Sequence, residues 1–298
     1  MNVHEIDRLL ARLAARQHGL LTRLQALAAG ATDEMIAHRL STGRWVRVAA
    51  GVYRLAGVPV TWRQRALAAV LAAGPGAVVS HRSAAVLHAI SGFRPGPLHV
   101  TVPAGRSGRN PLATVHRTVD LPARHTTRRD RIPVTSVART VADLARTVPP
   151  DLLEEAVDDV LCRRLVTFEA LQPHRRGALR TILAAWRPDD HPDTPPEVRL
   201  ARALVAHGLP RPEFQHEVFA NGELVARIDV AYPDHRIAIE LDSFRWHAGR
   251  RPFCSDRARR NRVEALGWHV LQATPEDVMP GAATPFYSAA RALLRRVA

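Results

Sequence analysis

The sequence contains no lysine: all 42 basic side chains are arginine, against 28 acidic ones, giving a formal net charge of +14 over 298 residues. Arginine's planar fork matches phosphate and guanine, so nucleic acid is the expected partner. Biased nucleotide composition in the coding DNA accounts for missing lysine equally well. Cysteine is scarce too. Cys162 and Cys254 supply neither a disulfide framework nor a zinc ligand set. No apolar run reaches the length of a membrane span, and the N-terminus lacks a secretory h-region. The expectation is a cytoplasmic protein with no membrane partner. Hydrophobic residues, at 46%, argue against disorder. The basic excess is uneven, with net +11 in residues 1–196 and +3 in residues 197–298. Binding and chemistry are therefore expected to lie apart along the chain.

The pattern predicts an α/β (α+β multidomain) chain in three blocks: 1–60, 61–186, and 197–298 after a Pro/Asp-rich linker at 187–196. In the first block a helix runs from Val3 to Arg16, ending near Gly19. Thr22 caps a short helix to Ala29, and a third spans Asp33 to Leu40 with acids in its first turn. Two short strands follow around Ala50-Gly51. That order is a winged helix-turn-helix. The Asp33–Leu40 helix would then enter the major groove, with His38, Arg39, Arg44 and Arg47 on or beside it. A solvated helix face would carry the same residues.

The second block alternates helices with short strands, an α/β module without a catalytic constellation. His81, His88, His99, His116 and His125 show no metal-ligand spacing and read as structural or surface residues. The third block opens on a helix from about Glu197 to Gly208, then a strand near Phe214–Val218. Next comes "RIDVAYPDHRIAIELDSFRWHAG", Arg227 to Gly249, whose period-2 alternation predicts a β-hairpin. A two-residue loop at Asp234-His235 places Asp229 opposite Glu240 and Arg227 opposite Asp242. Like charges directly opposed on a sheet are destabilising. A divalent cation reconciles them, because magnesium takes one or two protein carboxylates and completes its shell with water and phosphate oxygens. Ala231 and Ala238, on the same face, would leave room for substrate. A plain Arg227–Asp242 ion pair, with Arg236 and Arg245 neutralising the rest, is the competing account. An arginine-rich helix, Asp256–Leu266, and the strand "WHVLQA" complete the block.

Two family resemblances sharpen these expectations. "GLLTRLQALAAGATDEMIAHRLSTGRWVRVAAGVYRL", "VSHRSAAVLHAI" and "IPVTSVARTVADLA" resemble the AbiEi-type antitoxins of bacterial abortive-infection (phage-defence) systems, over residues 4 to about 175. The resemblance implies a DNA-binding winged helix on an α/β module, serving autoregulation beside a nucleotidyltransferase-like toxin. "PPEVRLARAL", Gln215, "ARIDVAYP", "IAIELDSFRWHAG", "DRARRNRVEALGWHVLQAT" and "PEDV" resemble the restriction-endonuclease-like αβββαβ core of PD-(D/E)XK nucleases, in the branch related to very-short-patch-repair endonucleases. That resemblance implies a Mg2+- or Mn2+-dependent endonuclease. Asp229 would be the principal metal ligand, Glu240 the acid of the D/E-X-K element, and Glu197 a further carboxylate. Asp242 stands where the catalytic lysine is expected, and His247 matches a histidine that acts near the scissile phosphate. Apart from the resemblance, helical spacing puts Arg257 and Arg260 near one face, where they would meet phosphates, although a solvated basic face would carry them too. The missing lysine favours the alternative, an inactive nuclease fold in a transcriptional regulator, and residue types alone do not separate DNA from RNA.

Overall fold

The computed structural model describes residues 2–105, 110–187, 189–241, 260–279, 281–282 and 284–296. By internal contacts the chain divides into two units, one of residues 1–156 with 170–179, the other of residues 157–169 with 180–298.

The first unit starts with α1 (Val3–Ala15), β1 (Leu20–Thr22), α2 (Arg23–Ala28), α3 (Asp33–Ser41), β2 (Trp45–Ala49) and β3 (Val52–Leu55). Local chemistry sets these boundaries. Asn2 and Thr22 each form a capping box, with Glu5 and Gln25 respectively, and the Thr32 hydroxyl caps α3. The strands form an antiparallel sheet in the order β1-β3-β2. Three helices with this small sheet make the winged helix-turn-helix arrangement. Ile6, Leu10, Ala14, Leu21, Ile36, Trp45 and Tyr53 form its core.

The following elements are α4 (Trp62–Ala73), β4 (Val78–Val79), α5 (His81–Leu87), β5 (His99–Pro103), β6 (Thr114–Thr118), β7 (Thr126–Arg129), β8 (Ile132–Thr135) and α6 (Val137–Leu144). Their strands form one mixed sheet, β6-β5-β4-β8-β7. The blocks expected at 1–60 and 61–186 do not have separate interiors. Leu20, Ala49 and Val52 pack into the same core as Ala66, Leu67, Val79, Val100 and Val134. The Gln64 amide also donates to the His18 carbonyl at 2.7 Å.

The helix α7 (Pro150–Cys162) crosses the division between the units. The expected linker at 187–196 falls inside the second unit, where the Trp186 indole N–H and the Arg202 guanidinium both donate to the buried Asp158 carboxylate. Two short helices, α8 (Phe168–Leu171) and α9 (Gly177–Ala184), precede α10 (Pro195–Ala206). After it come β9 (Glu213–Ala220), β10 (Glu223–Tyr232), β11 (Ile237–Leu241) and β12 (His269–Ala273), then a last, C-terminal helix, Pro285–Arg296. Residues 260–265 are helical as well. The sheet order is β12-β11-β10-β9, an antiparallel meander closed by a parallel strand. Asn221 and Gly222 join β9 to β10 with both residues at positive φ, the geometry of a type I′ hairpin.

Val230, Ile237 and Ile239 have no exposed surface and pack on Leu200 and Leu204 of α10 and on the C-terminal helix. Full burial of such a side chain contributes about 1.5–3 kcal/mol. The other face is also covered. Ala231 and Ala238 are buried with Val263, so they form a second core cluster and not the open substrate space expected from their size.

A candidate acidic site and a histidine cluster

The β10–β11 register pairs Val230 with Ile239, Ala231 with Ala238 and Tyr232 with Ile237. One step further along, it sets Asp229 opposite Glu240, both half-buried. The connection is longer than the two residues expected. A 3-10 turn over Pro233–His235 is followed by Arg236 in the left-handed region, and Tyr232 and Ile237 close the ladder. The register is unchanged because the added residues are shared equally by the two strands.

The row extends over the whole sheet. On β12, Gln272 pairs with Glu240. On β9, the flanking pairs Ile228–His216 and Val230–Phe214 bring Gln215 alongside Asp229. Gln215 has φ of 53°, uncommon for a residue with a side chain. Its amide donates to Glu197 Oε2 at 2.8 Å, while its own Oε1 is buried with no hydrogen-bond partner among the described residues. Glu197 is 3% exposed. It also accepts from Thr194 Oγ1 at 2.6 Å and from the Asp193 amide at 2.9 Å. Burial, together with the Asp229 charge, raises the Glu197 carboxyl to about 6 against these hydrogen bonds. Helix α10 and strands β9 and β10 thus bring Glu197, Gln215 and Asp229 together.

Among the described residues no group of three or more His, Cys, Asp or Glu side chains is arranged to hold a metal ion. Magnesium asks for less. One or two carboxylates suffice when waters and phosphate complete the shell. Asp229 and Glu240 place two carboxylates on adjacent strands, with the buried amide oxygen of Gln215 on the strand next to Asp229. Asp242, His247 and Arg257 lie outside the described residues. Arg260 is described, and its guanidinium pairs with Glu264 at 2.9 Å on its own helix.

In the first unit the expected basic face needs correction at one residue. Arg39 is 6% exposed. Its guanidinium donates to Asp7 at 2.5 Å and to the Met35 carbonyl, and lies 5.5 Å from the Trp45 ring centroid. It joins α3 to α1 and β2 instead of facing solvent. Arg44 and Arg47 are exposed, as is His38. Arg39→Ala is accordingly expected to cost about 2 kcal/mol of stability through lost packing and hydrogen bonds. Arg44→Ala should leave the melting temperature within experimental error. Thermal melts of the two variants check this.

Sequence spacing gave no sign that three histidines meet. His81 stacks on His116 with ring centroids 3.6 Å apart, and His99 Nδ1 lies 3.0 Å from His116 Nε2. The parallel β5–β6 pairing, with Thr101 beside His116, produces this meeting. Burial, then the neighbouring rings and arginines, lowers His81 to about 3. His99 and His116 are lowered as well, chiefly by burial. Only knowledge of strand order would have revealed the cluster.

Residues 8–56 match the family described as transcriptional regulator, AbiEi antitoxin. The matched window runs from within α1 to just past β3, the winged-helix part of the first unit. Two proteins of Mycobacterium tuberculosis, named uncharacterized protein MT2308 (strain CDC 1551 / Oshkosh) and uncharacterized protein Rv2248 (strain ATCC 25618 / H37Rv), are similar over a longer stretch. Each is 29% identical over 253 residues, covering 83% of this chain and 92% of its own. The crystal structure of the RV2827C protein from Mycobacterium tuberculosis aligns with a TM-score of 0.41 at 14% identity, over 62% of this chain and 78% of that one. Among the described residues no helix is long and apolar enough to cross a membrane.

Proposed function

We propose that the protein is a DNA-binding regulator of the AbiEi-antitoxin kind, acting in the cytoplasm. The observation that carries this reading is the family match over the three helices and three-stranded sheet of residues 8–56. The exposed Arg44 and Arg47 beside α3 supply phosphate contacts, and the net charge of +14 supplies attraction at longer range. A nucleotidyltransferase-like toxin is the protein partner this reading implies, in a phage-defence setting. Gel-shift titration against the protein's own promoter fragment tests it. Affinity is expected to fall steeply between 50 and 200 mM salt, on the order of a hundredfold or more, as phosphate contacts release counterions. Replacing Arg44 and Arg47 together should weaken binding and flatten that salt slope. Salt-insensitive binding, or none at low salt, would remove the regulator reading.

A second reading concerns the other unit and is favoured by the carboxylate row. The element order of α10, a β9–β10–β11 meander, helical residues 260–265 and a parallel β12 agrees with a PD-(D/E)XK-like core. In this reading Asp229 and Glu240 hold Mg2+ or Mn2+, and Glu197, tied to Gln215, stands beside them as a proton-holding acid. The ion would polarise a phosphodiester and activate water. His247 would assist proton transfer, with Asp242 in the lysine position and Arg257 and Arg260 meeting phosphates. The substrate is DNA, with RNA as the other arm of a cleavage assay.

A further inference from the structure

A concavity of about 170 Å³ opens in the first unit. Trp62, Arg82, Phe93, Arg94 and His99 line it, from the start of α4, the start of α5, the loop that follows α5, and the start of β5. Its walls are tied in place. The Trp62 indole N–H donates to the Gly96 carbonyl at 3.0 Å, and the His99 amide donates to Ser83 Oγ at 2.9 Å. Two half-buried aromatic rings therefore border a cavity whose loop is fixed at both ends.

The charged groups at this cavity differ from four arginines of the unit that are held in ion pairs. Arg23, Arg39, Arg63 and Arg139 each pair with an aspartate. Arg82 and Arg94 are exposed and enter no ion pair among the described residues. Arg82 lies 5.9 Å from the Phe93 ring centroid, so a cation already rests against one aromatic wall. His99 reaches His116 through Nδ1, which leaves Nε2 as its other polar contact point. The volume is smaller than the roughly 300–1,000 Å³ of pockets that enclose a drug-sized ligand. It accommodates one planar ring, with the anionic part of the ligand left at the rim.

We propose that this cavity binds a phosphorylated nucleoside, its base against Trp62 and Phe93 and its phosphate between Arg82 and Arg94. Stacking on aromatic rings is tolerant of base identity because every base presents a π face. Paired guanidiniums recognise phosphate through their fork geometry. The same chemistry is offered by a free mononucleotide and by the phosphorylated end of a strand. Because Arg44 and Arg47 are elsewhere, the site stands or falls independently of promoter binding.

Calorimetric titration of the full chain with AMP, CMP, adenosine, inorganic phosphate, and tetranucleotides with and without a 5′-phosphate tests the proposal. Saturable binding is expected for the mononucleotides, or for the 5′-phosphorylated tetranucleotide, which would identify a strand end as the source. Arg82→Ala/Arg94→Ala should weaken that binding at least about tenfold, a factor that corresponds to two lost phosphate contacts of ordinary strength. Arg44→Ala/Arg47→Ala should leave it unchanged. If the double variant fails to fold, Arg94→Ala alone, with an unaltered circular dichroism spectrum and at least threefold weaker binding, serves the same purpose. No saturable binding of any nucleotide, equal affinity for phosphate and AMP, or undiminished affinity in a folded Arg82/Arg94 variant each overturns the proposal.

Discussion

Asp229→Asn protein mixed with supercoiled plasmid and magnesium is expected to leave the DNA uncut where the parent nicks it, a loss of at least about a hundredfold in rate. The asparagine keeps the size of the side chain and removes half of the charge available to a cation at Asp229 and Glu240. Stability should not follow activity. The Asp229 charge is one cause of the raised Glu197 carboxyl, so its removal brings that group back toward the ordinary range while burial still holds it above. The variant is therefore expected to melt at or above the parent in the absence of metal. Millimolar magnesium should raise the melting temperature of the parent alone, because binding to the native state stabilises it by mass action. If neither protein cuts DNA or RNA and neither responds to magnesium, the second unit is a binding fold and the regulator reading stands alone. A destabilised variant that still cuts would assign Asp229 to an ion pair.

Acidification is expected to affect the two units in opposite directions. His81 is held well below its unfolded value of 6.5, at about 3, because it is buried against His116 and His99 and faces Arg139 and Arg146. Its native packing is therefore fully effective above pH 6.5 and is lost as pH falls from there toward 3. The linked loss is on the order of 3–4 kcal/mol, with His99 and His116 acting in the same direction. Arg82 adds to the repulsion on His99, whereas Asp143 attracts a proton to His116. Asp143 itself is raised by burial despite its bond to Arg139, so its protonation offsets part of the loss. In the second unit Glu197 has the opposite sign. Its carboxyl is raised from 4.5 to about 6, so that unit gains roughly 2 kcal/mol as pH falls through 6 toward 4.5. Hydrogen exchange read region by region at pH 7 and pH 5 should show protection falling around α5 and β5 and rising around α10. His81→Gln should flatten the first response and leave the second. A single uniform loss of protection at pH 5 would contradict the opposed signs.

How much of this was legible in the residues depends on the range over which each signal acts. Caps and short turns are local. Thr22, the helix at Asp33, and Trp62–Ala73 were all readable because a hydroxyl, an acid or an apolar run declares itself within four residues. The Asp229–Glu240 register was also readable, since alternation fixes it and a one-residue slip would have put Ile228 and Val230 in water. The β9–β10 hairpin was missed even though Asn221-Gly222 is a strong turn signal. Strand pairing over long separations was not readable. The stacking of His81 on His116 needs β4, β5 and β6 side by side, which no local pattern encodes. Arg39 misled for a related reason: its charge suggested a ligand, and only the crossing of α1 near α3 supplies Asp7 as its partner.

The shared interior beneath the winged helix limits how this chain can be divided. Leu20, Ala49 and Val52 are covered by α4 and the five-stranded sheet, so a fragment ending at residue 60 would leave them open to water. The winged-helix part is therefore not a cassette that can be transplanted onto another protein as it stands. A premature stop just beyond it would yield a sticky remnant with its apolar underside open to water. By the same physics, a ligand that rigidifies the five-stranded sheet also rigidifies the small sheet β1-β3-β2 that shares its core.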